Sequence, residues 1–415
     1  MSVAWTVYRA ASWCAGVLAP AARVAAPPAE RALWGERLGT NAFPPPADAW
    51  VHAASLGEST GVAPFAAELR RRKPDAALAA TAMTLGGRER LSSLALPAAL
   101  APIDTPQAVE RFLRNVEPRR LFLVETELWP QWLMAARRAR LPVAVVSARL
   151  SARSVARYRW LGGEFRGLMS TLAGVCCQNA GDRARWTAIG VPESRVAITG
   201  NLKWDGLPEP APDRFRARAA LGLDPDRPLL VLGSVRPGEA ALLARALRGL
   251  AGSGAPVWQI VAVPRHPAAS AELQAEAARA GQALVAQGAP PPGAWAWVDR
   301  LGVLAAYYAA ADAAFVGGSL VPLGGHNPLE PAATGAAVLM GPHHETQRDA
   351  VELLSSHRAI ELVTPEAPEA FVRLLTRRDE IAERGRRARE AAESQRGSAR
   401  RTVDQLVAWE LWGHA

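Results

Sequence analysis

Phe315-Val-Gly-Gly-Ser-Leu-Val-Pro-Leu-Gly-Gly-His-Asn-Pro-Leu-Glu-Pro331 is the stretch on which the fold reading turns. An apolar run, Ala313–Val316, breaks at Gly317-Gly318-Ser319, and a loop carries Gly324-Gly325-His326. Asn327 and Pro328 then stand where a helix begins, Asn as N-cap and Pro at the first position, where its missing N–H costs nothing. A strand feeding a helix through a glycine-rich turn is the half-unit of a parallel α/β sheet. Asn327 and Glu330 have capping-box spacing. Four glycines, an imidazole and a carboxylate exceed what a cap needs. Backbone N–H groups there suit a phosphate, and Glu330 suits the vicinal hydroxyls of a ribose. Gly318, Ser319, His326, Asn327 and Glu330 are therefore expected at a nucleotide site.

Outward from this segment the same alternation recurs. Strands are expected at Trp50–Ala54, Ala77–Ala82, Leu121–Val124, Val143–Val146, Gly174–Cys177 and Val196–Thr199. They resume at Leu229–Gly233, Gln259–Val263, Ala313–Val316 and Ala337–Met340, with helical stretches such as Gly61–Arg72 and Ala240–Leu250 between. The proline-rich run Leu207–Asp213 is unsuited to a sheet and reads as an interdomain linker. The expected division is an apolar segment 1–26, an α/β half 27–206, a linker 207–227, a second α/β half 228–375, and helices 376–415. The fold class is α/β: two doubly wound, Rossmann-like domains facing across a cleft, with ligands outside the carboxyl ends of the strands. Functional residues should follow strands.

Several do. His52-Ala-Ala-Ser-Leu-Gly-Glu-Ser-Thr60 follows the first strand. Ser55 and Glu58 have capping-box spacing, Gly57 permits a tight turn, and Glu58 is either a cap or a carboxylate exposed to take a proton. Glu125-Thr-Glu-Leu-Trp-Pro130 places two carboxylates, Glu125 and Glu127, at a strand end. Side by side they repel, so a cationic partner such as Arg149 or Arg153 is expected. Ser147-Ala-Arg-Leu-Ser-Ala-Arg-Ser154 suits a phosphate or carboxylate through Arg149, or is a well-capped helix start. Lys203, in Thr199-Gly-Asn-Leu-Lys-Trp-Asp205, is a rare choice in an arginine-rich chain. In the second half, Gly233-Ser-Val-Arg-Pro-Gly-Glu239 offers Ser234 and two glycines to a phosphate but lacks the Gly-Lys-Ser/Thr end of a Walker A loop. Val263-Pro-Arg-His-Pro267 holds Arg265 and His266 between prolines, Arg265 for a bidentate phosphate contact and His266 as a donor.

Composition bounds the function. The chain has 415 residues, 49% hydrophobic and 21% charged, which fits a folded two-domain protein and excludes a mainly disordered one. The 48 Lys+Arg exceed the 39 Asp+Glu by a formal +9, and only Lys73 and Lys203 are lysines. Nucleic acid is a poor partner, because the arginines are scattered without interleaved aromatics. Cys14, Cys176 and Cys177 suit neither a disulfide framework nor a zinc site, and the adjacent pair reads as two small core residues. No run supplies the ~20 apolar residues of a membrane span. Residues 1–26 set Trp5, Tyr8 and Trp13 beside Arg9, which favours a peripheral or marginal membrane anchor over a signal peptide or an ordinary packed helix.

Taken together, these segments resemble the 3-deoxy-D-manno-octulosonic acid (Kdo) transferases. The resemblance rests on Trp34-Gly-Glu-Arg37, Ser55-Leu-Gly-Glu58, Glu125-Thr-Glu-Leu-Trp-Pro130, Ala148-Arg-Leu-Ser151, Gly200-Asn-Leu-Lys203, Pro264-Arg-His-Pro267 and Gly317-Gly-Ser319 through Glu330. It implies a GT-B glycosyltransferase that moves Kdo from CMP-Kdo to a lipid A precursor, inverting and without metal or cofactor, at the cytoplasmic face of a bacterial inner membrane. The first half would then bind acceptor and the second the CMP-sugar. By the same resemblance Glu58 is the general base, and Glu125 and Glu127 lie near the reacting centre. Arg265, Asn327 and Glu330 hold CMP, and the anionic membrane surface is a partner. Leu301 and Gly302, in Asp299-Arg-Leu-Gly-Val-Leu304, match a base-packing segment, but Val303 stands where many members carry a carboxylate. The alternatives are another GT-B transferase or 2-epimerase, separable by CMP, UDP and GDP competition, and a non-catalytic lipid-binding protein.

Overall fold

The computed structural model describes residues 3–40, 46–250, 253–364 and 369–413. The extreme ends of the expected segments 1–26 and 376–415 lie outside the described residues. The chain forms two compact units, one of Met1–Gly206 with Gly397–Ala415, the other of Leu207–Arg396.

The first unit holds β1 (Ala49–His52), β2 (Leu78–Ala82), β3 (Ala98–Leu100), β4 (Leu121–Val124), β5 (Val143–Ala148), β6 (Gly174–Cys177) and β7 (Val196–Ile198). They make one parallel sheet in the order β3-β2-β1-β4-β5-β6-β7. The second unit holds β8 (Leu229–Val235), β9 (Gln259–Pro264), β10 (Ala283–Ala286), β11 (Ala294–Trp297), β12 (Ala313–Val316), β13 (Ala337–Met340) and β14 (Ile360–Leu362). Their order is β10-β11-β9-β8-β12-β13-β14, again all parallel.

Both faces of each sheet are covered, so successive side chains enter different apolar layers. In the first unit Trp50, Leu123, Val145 and Cys177 pack on one face, and Val51, Phe122 and Val146 on the other. In the second, Leu230, Leu232 and Phe315 oppose Val231, Val261 and Ala314. Cys176 and Cys177 are buried free thiols. Strands expected from unbroken apolar runs are present. The unforeseen ones, β3, β10, β11 and β14, are three or four residues long and rich in Ala or interrupted by Glu. The chain direction around each sheet reverses at one point, between β1 and β4 and between β8 and β12. Loops leaving those neighbouring strands diverge to opposite faces and open a crevice.

Two expected boundaries are corrected. The span 207–227 is not all linker, because it contains the helix Arg214–Ala220. Within it, Arg218 is buried against Asp312 at 2.6 Å, and Arg214 donates to the Thr334 and Gly335 carbonyls. Nor do residues 376–415 form one terminal block. The helix Arg378–Ser394 belongs to the second unit, whereas Ser398–Ala408 packs on the helix Leu56–Arg72 of the first. Asp205 accepts the N–H groups of Gly397, Ser398 and Ala399 and pins that return. Two arginine-rich tracts, Arg70–Lys73 and Arg384–Arg389, carry ion pairs within their own units: Arg384 with Glu361 and Glu380, Arg386 with Glu383 and Glu390, Arg72 with Asp404, and Lys73 with Asp48.

At the N-terminus Val3–Ala22 is a 20-residue helix with two distinct faces. Trp5, Ser12, Gly16 and Ala19 are buried. Tyr8 Oη donates to Asp104, Gln131 Nε2 reaches Ser12 Oγ at 2.5 Å, and Trp34 Nε1 donates to the Ala19 carbonyl at 2.9 Å. A Cβ on Gly16 would meet the end of the Gln107 side chain, which would have to swing aside. Val3, Val7, Trp13, Val17 and Leu18 are exposed on the opposite side. Among the described residues, no helix is long and apolar enough to cross a membrane.

Candidate active site

The first unit gathers three carboxylates at its switch point. Glu58 stands in the first turn of Leu56–Arg72, and Glu125 and Glu127 follow β4. Ser55 Oγ accepts the Glu58 N–H at 3.3 Å, and Glu58 Oε2 accepts the Ala54 N–H at 2.6 Å. The capped position and the candidate base are thus the same half-buried residue: Oε2 is held by the N–H just ahead of the N-cap, and Oε1 is left over. Burial, with Glu125 and Glu127 adding like charge, pushes the Glu58 carboxyl up to about 7. The Ala54 N–H and Lys203 pull the other way. Gly57 is exposed in that turn with ordinary helical φ, and a Cβ there would meet nothing nearer than Ser55 Oγ at 3.8 Å. The backbone does not demand glycine at this position, contrary to the tight-turn reading.

The cation beside the acidic pair is Lys203, not Arg149 or Arg153. Lys203 Nζ lies 2.5 Å from Glu125 Oε1. Arg149 and Arg153 are exposed and form no ion pair among the described residues; Arg149 joins the loop only through its carbonyl, which accepts from Thr126 Oγ1. What aims Lys203 is a polar knot that sequence reading missed. Asn201 Oδ1 accepts the Lys203 N–H at 3.0 Å, Asn201 Nδ2 donates to Gln178, and Gln178 Nε2 donates to the Ser147 carbonyl. Glu127 Oε2 accepts the Trp129 indole N–H at 2.7 Å.

In the second unit a different carboxylate dominates. Glu239 is fully buried and accepts four backbone N–H groups, from Arg236, Gly318, Ser319 and Leu320 at 2.7–2.9 Å. This corrects the expectation for Gly318 and Ser319. Their N–H groups are spent on an internal anion, which ties the loop after β12 to the loop after β8. Ser319 is buried as well, its hydroxyl donating to the Val316 carbonyl and accepting the Gly341 N–H. Ser234 is also buried, and its carbonyl lies where a Cβ on Gly317 would have to go.

What remains open is cationic. Arg265 and His266 are exposed beyond β9, while Arg236 and His326 are half-buried. Neither Arg236 nor Arg265 has a carboxylate within ion-pair distance among the described residues. Burial first, then Arg265, Arg236 and His266, push His326 down to about 4. Glu330 belongs to the same neighbourhood: burial raises its carboxyl, opposed by Arg265 and by a bond from the Asn327 side chain. Asn327 Oδ1 also accepts the Leu329 N–H at 3.0 Å, but the helix is Leu329–Ala333 with Pro328 at its N-cap, one residue later than expected. Leu301 is 77% exposed beside Gly302, whose φ is 79°. No hydrogen bond ties either residue to this cluster among the described residues.

Three non-glycine residues at these strand ends have left-handed φ: Glu125 (64°), Ser147 (52°) and Ser234 (57°). Such backbone costs on the order of 1 kcal/mol each and persists where surrounding contacts enforce it. The chemistry available is a carboxylate with a raised pKa in one unit, and a cationic cluster suited to an anion in the other.

Residues 32–206 match the family model described as 3-Deoxy-D-manno-octulosonic-acid transferase (kdotransferase). The chain is 36% identical over 397 residues to 3-deoxy-D-manno-octulosonic acid transferase of Bordetella pertussis, covering 90% of each. It is 30% identical to the Haemophilus influenzae protein of the same name, covering 89% of this chain and 88% of that one. Among solved structures, MurG of Acinetobacter baumannii superposes with a TM-score of 0.58 at 16% identity, over 88% of this chain and all of that one. That likeness shows the fold, the two α/β units of the GT-B class. With a family-model match and two relatives aligned over nearly their whole length, the chain belongs to the 3-deoxy-D-manno-octulosonic acid transferase family of glycosyltransferases.

Proposed function

We propose that the chain transfers Kdo from CMP-Kdo to a hydroxyl of the lipid A precursor, lipid IVA, in lipopolysaccharide core biosynthesis, with inversion and without a metal. The observation that carries this reading is Glu58: a half-buried carboxyl at about 7, set against two further carboxylates. A base is most effective when its pKa lies near the working pH. With Oε2 engaged by Ala54, Oε1 is the atom that takes the acceptor proton. As the acceptor oxygen bonds to the anomeric carbon, the bond from that carbon to the CMP phosphate breaks and CMP leaves as an anion. Arg265 and Arg236 stabilise that anion, and His326, kept neutral, supplies a hydrogen bond rather than a charge. Glu330 and Asn327 take the ribose. Since the cations are protein side chains, the leaving group is neutralised without a divalent ion.

The site of action is the cytoplasmic face of the inner membrane. The exposed apolar face of Val3–Ala22 supports this, because a helix bolted to protein on one side and apolar on the other fits the plane of a membrane surface. The +9 excess fits anionic substrates and an anionic surface. Purified protein incubated with CMP-Kdo and tetraacylated lipid A precursor tests the whole reading. Mass spectrometry should show acceptor mass increased by Kdo; an unchanged acceptor with intact donor would overturn it.

A further inference from the structure

A buried imidazole beside the acidic cluster has no part in the chemistry above. His52 ends β1 with no solvent exposure, and its Nε2 has no hydrogen-bond partner among the described residues. That atom faces Glu127 Oε2 at 3.6 Å. The other ring nitrogen, Nδ1, lies 2.9 Å from Thr81 Oγ1. The same hydroxyl oxygen lies 2.7 Å from the Trp50 indole nitrogen.

These contacts define a tautomer. An indole N–H can only donate, so Thr81 Oγ1 accepts from Trp50 and still has one proton to give. The Thr81 carbonyl beside the ring accepts the Ala53 N–H at 3.0 Å and keeps a second lone pair, so it is the hydroxyl proton of Thr81 that selects the tautomer. If Thr81 donates to Nδ1, the hydroxyl and the indole are both served, and Nε2 carries the ring proton and directs it at Glu127 Oε2. The reverse assignment would strand the hydroxyl proton in the core and aim a lone pair at a carboxylate. Both are costly where water is absent. Burial favours the neutral ring, aided by the Arg37 charge and opposed by Glu127.

Resting on the transferase reading above, we propose that His52 is a positioning residue for Glu127. Its Nε2–H and the Trp129 indole N–H converge on one carboxylate oxygen, Oε2, and leave Oε1 turned to the reacting centre. At 3.6 Å the His52 contact is longer than a hydrogen bond, and such contacts commonly tighten when substrate binds. The two members of the acidic pair then differ in kind. Glu125 is neutralised by Lys203, whereas Glu127 is held by neutral donors and keeps its negative charge for the positive charge that develops on the sugar.

The asparagine amide nitrogen mimics Nδ1 and the glutamine amide nitrogen mimics Nε2, which separates positioning from packing. His52→Gln should retain most of kcat, whereas His52→Asn should lose ~10–100-fold in kcat with little change in KM. Equal kcat for the two variants would overturn the proposal. Independently of turnover, ¹⁵N spectra of the full-length protein should show His52 with bare Nδ1 and protonated Nε2. The signals are identified among seven histidines by their absence from His52→Gln. A protonated Nδ1 or an imidazolium would overturn the assignment even if transfer is intact. An inactive wild type would sink the transferase reading and leave this measurement standing. Should His52→Asn fail to fold, Thr81→Val serves instead: the single-tautomer pattern should vanish and kcat fall, and an unchanged pattern would refute the inference.

Discussion

Lys203 Nζ sits 2.5 Å from Glu125 Oε1, so one of the three clustered carboxylates has its charge cancelled at short range while Glu58 and Glu127 have none cancelled so closely. This pairing also bears on Glu58, whose proton affinity is raised by the carboxylates and lowered by Lys203. Lys203→Met should therefore raise the Glu58 pKa above about 7. A base must be deprotonated to work, so the rising limb of kcat/KM against pH should move to higher pH. A pH–rate profile superimposable on that of the wild type would show that Lys203 does not govern Glu58.

Glu58→Gln should abolish transfer while CMP still binds; near-normal turnover by the purified variant would remove Glu58 from the mechanism. The same change should stabilise the protein at alkaline pH. The folded-state value, about 7, lies above the ordinary 4.5, so the native state binds the proton more tightly than the unfolded chain. Stability is then lost as pH rises from about 4.5 to about 7. Discounted for partial exposure, the relief is on the order of 1–2 kcal/mol above pH 7 and fades in acid. Thermal melts at pH 5 and pH 8 would reveal it as a variant advantage confined to the higher pH.

Arg265→Ala and Arg236→Ala should each weaken CMP binding by roughly tenfold or more, since a charge-assisted contact is worth about 1.5–3 kcal/mol. Removing either cation should also raise the His326 pKa from about 4, because both arginines hold it down. Calorimetry and a ring-proton titration follow the two effects separately. Unchanged affinity would count against the donor-site assignment.

Glu239→Gln should destabilise the second unit by roughly 2–4 kcal/mol, because an amide cannot accept four N–H groups as a carboxylate does and its own N–H₂ would face donors. Urea unfolding measures the loss. CMP affinity should fall as well, since the loops after β8 and β12 lose their tie.

On the N-terminal helix the two faces should respond differently. Val7→Asp combined with Leu18→Asp, both on exposed positions, should reduce cosedimentation with anionic vesicles and leave the melting temperature nearly unchanged. Trp5→Ala, in the core, should cost about 3–5 kcal/mol. Vesicle binding unaffected by the double change would refute a membrane-facing role for this helix.

Much of the fold was legible because parallel strands buried on both faces must be unbroken apolar runs, and Val143–Val146 or Leu229–Gly233 can hardly be anything else. β3 and β14 escaped notice because a three-residue edge strand has no room for a pattern. Capping at Ser55 was readable for a similar reason, since it is a relation among near neighbours. Lys203 drew attention by rarity, but its partner, 78 positions away, could not be read along the chain.

By itself, then, the sequence determined the α/β class, the strand-end location of the candidate residues and, through its motifs, the family. Those properties reside in local periodicity and short strings. Only the tertiary structure decided which charge meets which: Lys203 against Glu125, Glu239 on the N–H groups once reserved for phosphate, and Glu58 lifted to about 7. The reason is physical. Proton affinity and hydrogen-bond occupancy depend on burial and on charges a few ångströms distant, and the residues that supply them come from strands far apart in the chain.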